Sequence, residues 1–141
     1  MYDKRKNFLY IGQKLPSLNE YVSKNRAHPQ VGARFKRETD ETIRMWVNAC
    51  VAQGDLHPIS SPCEIVIDFY EGNNRRDVDN VQSATKYILD ALQEAGILPN
   101  DNQKWVKQIF HRVLHNVAGA CVYVYLIEDA HIALTVQEND S

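Results

Sequence analysis

Two carboxylates, Asp77 and Asp79, stand one residue apart behind Arg75 and Arg76, and Asn80 follows them. In an extended segment, residues i and i+2 point to the same side, so both carboxylates can reach one cation. Mg²⁺ takes oxygen ligands of this kind, usually one or two carboxylates with substrate phosphate and water. Arginine suits phosphate. The stretch therefore predicts phosphodiester chemistry at a divalent cation.

A magnesium-dependent nuclease usually needs a third carboxylate from another segment, with metal positions left open for phosphate and the attacking water. Asp101 is the first candidate, because it lies in a loop after a predicted helix, at the entry to the next strand. We expect the chain to have returned there to the same end of the sheet as Asp77 and Asp79. Asp90, inside the helix, is the alternative.

One face of that helix carries further polar side chains. At 100° per residue, Ser83, Lys86 and Asp90 all lie within 40° of Asp79. Lys86 and Asp90 are spaced i, i+4 and can pair. The face is either an ordinary solvated surface or the wall of a substrate groove, in which Lys86 supplies positive charge to phosphate or to the leaving oxygen.

The surrounding hydrophobic pattern predicts the elements that position these residues. It indicates an α+β fold: a two-layer domain in which a small mixed sheet packs with two main helices. We expect strands over 7–13, 63–70, 104–114 and 120–128, and helices over 32–53 and from Asp79 or Asn80 to 95. A turn near 115–116 is expected to join two strands as a hairpin, and residues 131–136 could add an edge strand.

Length and composition set the class. The 141 residues predict one domain over 1–141, with 1–7 as a basic arm and 130–141 as a tail. The three cysteines form no CxxC pair, which argues against a disulfide framework and a zinc site. No apolar run is long enough to span a bilayer. We therefore expect a cytoplasmic protein without a membrane partner.

Charge is distributed unevenly. Residues 1–37 hold nine Lys/Arg and two Asp/Glu, whereas residues 38–141 hold seven and sixteen. A basic N-terminal region on an acidic body points to a polyanionic partner, with a merely solvated basic end as the alternative. The pI near 6.2 argues against a protein that coats nucleic acid generally and fits a focal binding site better.

Together these residues resemble the RusA family of Holliday junction resolvases, which is common in phages and prophages. The matching pieces are Asp77-Val78-Asp79-Asn80, Lys86, Asp90-Ala91-Leu92 and Asn100-Asp101-Asn102-Gln103, an early loop at 15–21 and a basic helix start at 32–36. The similarity covers roughly residues 8 to 127. Each piece alone is unspecific, and the combination is specific.

The resemblance implies a homodimeric, Mg²⁺-dependent endodeoxyribonuclease of DNA recombination and repair, with Mn²⁺ as a possible substitute. It would nick a four-way junction at two symmetric sites. It maps the essential aspartates onto Asp77, Asp79 and Asp101 as metal ligands, and the catalytic lysine onto Lys86. The residues expected to contact the branched DNA are Arg75, Arg76, Asn80, Lys14, Asn19, Arg34 and Lys36.

Two positions depart from the family pattern. The lysine usually stands four residues after the second aspartate, where this chain has Ser83, and Lys86 lies one turn further along the helix. Asn100 replaces the first acid of the pair that ends in Asp101. A non-catalytic junction-binding domain with a degenerate site is therefore the alternative function. A DxD phosphatase or a glycosyltransferase fits the chain poorly.

His111 lies in a strand-like run, and we expect a structural role for it rather than that of a general base. We expect Trp46 and Trp105 to lie in the core or in a dimer contact rather than to stack on bases.

Overall fold

The structure is a computed structural model that describes residues 7–15, 26, 29–72, 84–115 and 118–128. Its elements are β1 (Phe8–Ile11), α1 (Pro29–Gln53), β2 (Cys63–Glu71), α2 (Thr85–Glu94), β3 (Val106–His115) and β4 (Cys121–Glu128). The four strands form one sheet in the order β1-β4-β2-β3. Strand β3 is parallel to β2, and β4 is antiparallel to both β2 and β1. The predicted α+β class, with a mixed sheet and two helices, is confirmed.

The core lies between the helices and one face of the sheet. On β2, the alternate residues Cys63, Ile65, Ile67 and Phe69 are almost completely buried, as the strand pattern predicts. The predicted stripe of α2 faces them, since Ala84, Ile88 and Leu92 are buried within the same cluster. Helix α1 contributes Ile43 and Val47 to this cluster, and Trp46 and Trp105 pack against it partly buried. Burial of this apolar surface is the main force that holds the helices on the sheet.

Strands β3 and β4 do not form the expected hairpin, because β2 lies between them. Residues Ile65 and Phe69 of β2 face Ile109 and Val113 of β3 on one side, and β4 pairs with the other side of β2. The β2-α2-β3 unit is a crossover that returns the chain parallel to its start. Strand β4 then begins at Cys121 on the other side of β2, opposite Tyr70.

Both described helices end at a glycine in the left-handed region. Gly54 follows α1 with φ 82° and Gly96 follows α2 with φ 75°, a conformation that costs glycine least. The N–H of Gly96 donates to the carbonyl of Gln93, and Ile97 N–H donates to the carbonyl of Leu92. The predicted ends of both helices are thereby confirmed.

The start of β1 is attached to the loop after α1 by a buried amide. The side chain of Asn7 donates to the carbonyl of His57 (2.9 Å) and accepts from the N–H of His57 (2.9 Å). Residues 1–6 of the predicted basic arm and residues 129–141, with the expected edge strand, lie outside the described residues. Cys50, Cys63 and Cys121 all belong to the described residues, and none of them forms a disulfide. None of the described helices is long and apolar enough to cross a membrane.

Candidate active site and nucleic-acid interface

The segment that carries the paired carboxylates connects β2 to α2. Asp77 and Asp79, with Arg75, Arg76 and Asn80, lie in residues 73–83, outside the described residues. Both ends of the segment are described. The chain leaves the sheet at Glu71, which is buried and paired with His115, and it returns at Ala84. The site is therefore anchored between the end of a central strand and the start of a packed helix.

The first turn of α2 is fixed to the sheet by a polar contact. Thr85 Oγ1 lies 2.8 Å from His111 Nε2 on β3. The His111 ring also stacks on Phe69 of β2, with a centroid distance of 6.3 Å and an interplanar angle of 21°. Burial lowers the pKa of His111. The ring is therefore neutral at pH 7, which agrees with the predicted structural role.

Lys86 is the next residue of α2, and it is 82% exposed. Its ammonium lies 3.8 Å from the carboxylate of Asp90, so the predicted i, i+4 pair is present. An exposed pair of this kind contributes little to stability, and its lysine is free to exchange partners. Lys86 thus stands on the solvent side of α2 near its start, available to a phosphate, while Ser83 lies outside the described residues.

Asp101 lies exposed in the turn before β3. Because β3 is parallel to β2, this turn stands at the end of the sheet where β2 begins, beside the Cys63–Val106 pair. The chain leaves β2 towards 73–83 from the opposite end. We expected the loop of Asp101 to lie at the end of the sheet from which the chain leaves β2. This expectation is wrong, because a parallel crossover brings the chain back to the end where β2 begins.

The two asparagines that flank Asp101 shape its turn. Asn100 Oδ1 accepts from the N–H of Asn102 (3.1 Å), and Asn102 Oδ1 accepts from the N–H of Lys104 (3.0 Å). Short Asx side chains stabilise turns in this way. Asn100 is thus well suited to this position, and its replacement of an acid leaves Asp101 exposed to solvent.

No group of three His, Cys, Asp or Glu that could hold a metal ion occurs among residues 7–15, 26, 29–72, 84–115 and 118–128. Asp101 alone of the three proposed ligands belongs to these ranges. Its carboxylate is a hard oxygen donor that suits Mg²⁺, so its chemistry fits the proposed ion. Convergence with Asp77 and Asp79 stays a prediction.

The groove between α1 and α2 is lined by charged side chains of both signs. A cavity of about 370 Å³ is lined there by Lys36, Asp40, Asp90 and Glu94, among others. Burial raises the pKa of Asp40, the nearby Lys36 and Arg44 lower it, and the carboxylates Glu94 and Asp90 raise it. Each carboxylate has a cation close to it: Lys36 lies near Asp40, Lys86 lies 3.8 Å from Asp90, and Arg44 lies 2.8 Å from Glu94. The charges of the groove therefore balance, and the groove offers a DNA backbone no net attraction.

The basic candidates of α1 lie exposed beside this groove. Lys36 also lines a neighbouring depression of about 480 Å³, together with Arg37 and Arg44, two cations that the sequence did not single out for DNA contact. Arg34 is exposed one turn before Arg37. Helical spacing at i, i+3 and i+10 is the signal that could have found Arg34, Arg37 and Arg44 on one surface. Lys14 is exposed after β1, and Asn19 lies outside the described residues.

A second feature missed by the sequence is a buried ion pair on the sheet face opposite the helices. Asp68 is fully buried and accepts from Arg112 through both oxygens, from Nε at 2.8 Å and from the terminal nitrogen at 2.7 Å. The two residues are direct neighbours across β2 and β3. The sequence signal for this pair was an acid at a position of β2 that alternates with the core positions, together with an arginine on the next strand.

The fold and the described part of the site thus define a small α+β domain with exposed cations on α1 and an exposed lysine near the start of α2. Curated relatives agree with the resemblance. The chain is 34% identical over 89 residues to the crossover junction endodeoxyribonuclease RusA of Escherichia coli strain K12, which covers 62% of this chain and 68% of that protein. The same values hold for the proteins of that name from the O1:K1/APEC and O6:H1 (CFT073) strains. No family model matches the chain. The chain belongs to the RusA family.

Proposed function

We propose that this protein is a Mg²⁺-dependent endodeoxyribonuclease that resolves four-way DNA junctions by paired symmetric nicks. The observation that carries the proposal is the similarity to the crossover junction endodeoxyribonucleases over 62% of the chain. The retained Asp77, Asp79 and Asp101 support it, because they are the acids that the resemblance maps onto metal ligands. The protein would act in DNA recombination and repair.

In this proposal, the three aspartates hold the cation and leave positions open to the scissile phosphate. A bound Mg²⁺ would supply Lewis acidity to that phosphate, and Mn²⁺ could replace it. Convergence of the three carboxylates requires residues 73–83 to fold back from the end of β2 towards the turn before β3, where Asp101 lies.

The cations have separate tasks. Lys86, exposed near the start of α2, would stabilise charge on phosphate or on the leaving oxygen. Arg75 and Arg76 precede the aspartates directly and would bind the adjacent phosphates. On α1, Arg34 and Lys36, with the neighbouring Arg37, would extend the contact along a DNA arm. Asn80, Lys14 and Asn19 complete the proposed DNA-contacting set.

A homodimer is part of the proposal. A four-way junction has two symmetry-related strands to cut, and a two-fold assembly places one active site at each. A partner chain would also bring a second set of basic helices to the four arms.

The alternative function is a junction-binding domain without catalysis. The observation that favours it is Ser83, which stands where the family usually has its lysine. The two functions differ in one respect only, since both predict preferential binding of branched DNA.

The experiment that tests the proposal uses Asp79→Asn, an isosteric change that removes one carboxylate. We expect cleavage of a synthetic four-way junction to be abolished while binding in Ca²⁺ persists. Asp55→Asn, in the turn that follows α1, is the control for loss of a negative charge, and it should cut normally. Full activity of Asp79→Asn would refute the proposed site, and a wild-type protein that binds without cutting would establish the alternative.

A further inference from the structure

The outer edge of the sheet, at β3, carries exposed cations and no carboxylate. Residues 102–127 include Lys104, Lys107 and Arg112 but no Asp or Glu, whereas residues 38–141 as a whole hold sixteen acids. Strand β3 lies at one end of the sheet order, where it pairs with β2. Lys104 and Lys107 are exposed, and neither forms an ion pair with a carboxylate of the described residues. This edge is therefore locally positive on an otherwise acidic body.

Lys107 is the extra residue of an irregularity in the pairing of β3 with β2. Val106 pairs with Cys63, and Gln108 pairs with Glu64, so Lys107 stands between two consecutive positions of β2. Such β-bulges are rare between parallel strands, and they bend a strand and redirect a side chain. Lys107 is exposed directly after Val106, which is buried in the core. The bulge thus gives a lysine of the sheet edge access to solvent at the start of β3.

Phe110 is an exposed aromatic side chain on the same strand. It is 47% exposed, and the other large apolar side chains with comparable exposure in the described ranges lie on α1 and are not aromatic. Gln108 and Arg112, two residues before and after it, are exposed on the same face of the sheet. The charge of Arg112 is balanced by Asp68, which leaves the two lysines as the cations available to a ligand. An open ring between polar side chains is a surface on which a planar group can stack.

The turn before β3 connects this edge with Asp101. Asn102 Oδ1 accepts from the N–H of Lys104 (3.0 Å), and the Asn102 carbonyl accepts from the N–H of Val106 (2.9 Å). The Lys104 ammonium lies 5.8 Å from the centroid of the Trp105 ring. These contacts hold Lys104 in the same turn as Asp101. The acid and the positive edge are therefore neighbours within the described structure.

We propose that the outer edge of β3 binds an unpaired stretch of a DNA strand: Lys104 and Lys107 contact its phosphates, and Phe110 stacks on a base. Ammonium groups bind phosphate as point charges, and aromatic rings stack on bases of any sequence. Lys107 and Phe110 are three residues, or about 10 Å, apart along the strand, so both can contact one short stretch. A duplex would offer the phosphates but not the faces of its bases, which are stacked on one another.

The inference deepens the proposed function and rests on it for the origin of the unpaired strand. A four-way junction whose strands open at the branch point would supply such a stretch. Asp101, the proposed metal ligand, lies at the beginning of the same edge. The edge would then hold the strand that leads to the scissile phosphate.

The test compares two labelled single strands by fluorescence anisotropy, with a chelator present to prevent cleavage. One probe is an oligothymidylate of about 15 nucleotides, and the other has the same length but carries abasic sites throughout, so that it offers phosphates without bases. Phe110→Leu should weaken binding of oligothymidylate about fivefold and binding of the abasic probe by less than about twofold. Phe110→Tyr keeps a ring and should bind both probes like the wild type.

The lysines have a different signature. Lys104→Gln and Lys107→Gln should weaken binding of both probes, because both probes retain the phosphates. Each of these changes should also reduce the slope of the logarithm of the binding constant against the logarithm of salt concentration by about 0.7.

Two residues of α1 provide matched controls. Arg44→Gln removes an exposed cation that is paired with Glu94, and Met45→Ala removes an apolar side chain that is 56% exposed. Both variants should bind the two probes like the wild type, and melting curves verify that every variant is folded.

The inference would be overturned by a wild-type protein that does not bind oligothymidylate, by equal losses of the two probes in Phe110→Leu, or by unchanged salt slopes in both lysine variants. Lysine variants that bind normally but self-associate in size-exclusion chromatography would also overturn it, because the lysines would then only protect the sheet edge. The proposed function fails on a different observation, namely a four-way junction that stays intact with Mg²⁺ and with Mn²⁺. Binding of a single strand at β3 would stand in that case, because its readout does not depend on cleavage.

Discussion

Removal of Arg112 should destabilise the domain far more than removal of an equally close arginine at the surface. Arg112 contacts both carboxylate oxygens of Asp68, whose side chain is 0% exposed. Arg44 contacts Glu94 at 2.8 Å, almost the same distance, but both side chains of that pair are more than half exposed. The two pairs therefore differ mainly in solvation.

The size of the difference follows from burial. Removing one partner of a fully buried pair leaves an uncompensated charge and costs about 3–5 kcal/mol. The Arg112 side chain is 49% exposed, which lets water approach the vacated position. We therefore take the lower limit, about 3 kcal/mol, for Arg112→Gln. In a domain of this size that corresponds to a fall of roughly 10 °C in melting temperature. Arg44→Gln should cost less than about 1 kcal/mol.

Urea denaturation at pH 7 measures both variants, with melting curves as a second probe. A double change, Asp68→Asn with Arg112→Gln, should recover part of the loss, because it removes the buried charge along with its partner. Equal losses for Arg112→Gln and Arg44→Gln would show that burial does not set the strength of the inner pair. The inference that the buried position of Asp68 between β2 and β3 strengthens its pair with Arg112 would then be wrong.

Three further predictions concern titration and the lysine. Burial lowers the folded pKa of His111 below its value of 6.5 in the unfolded chain. The contribution of His111 to the free energy of unfolding is therefore complete above pH 6.5 and declines as the pH falls. Urea unfolding between pH 5 and 8 should show this decline, and His111→Gln should reduce it. Asp40 has the opposite effect, because its folded pKa is raised and its ionisation therefore costs stability as the pH rises through that pKa. Asp40→Asn should raise the melting temperature at pH 7 and not at pH 3. A lower melting temperature of this variant at pH 7 would refute the reasoning. Lys86→Ala should reduce the cleavage rate by about a hundredfold in a single-turnover assay, whereas Ser83→Ala should change it little. The reverse result would show that Lys86 does not take the role of the family's lysine.

The sequence predicted the elements well, because their signals are local. The alternation of Cys63, Ile65, Ile67 and Phe69 identifies β2, and the glycines at 54 and 96 mark where the helices end. The order of strands in the sheet is not a local property. A short connection at 116–120 is compatible both with a hairpin and with passage around the end of β2. The choice depends on which partner covers each edge of β2.

The placement of Asp101 depends on the same non-local information. Asp101 was identified correctly as a loop residue at the entry to β3, but the end of the sheet at which that loop lies depends on the parallel direction of the strand. Sequence spacing found the Lys86–Asp90 pair, because residues four apart meet on any helix. The contacts Asp68–Arg112 and Thr85–His111 join residues far apart in the chain. Their partners follow only from the pairing of the strands.

Cleavage of a synthetic four-way junction by the wild-type protein tests the central claim most directly. The junction is compared with linear duplex, Y-fork and flap substrates of the same sequence, each with Mg²⁺ and with chelator. We predict two nicks at symmetric positions in the junction, dependent on Mg²⁺ or Mn²⁺, and little cutting of the other three substrates. Equal cutting of linear duplex, or an intact junction in the presence of both ions, would contradict the account.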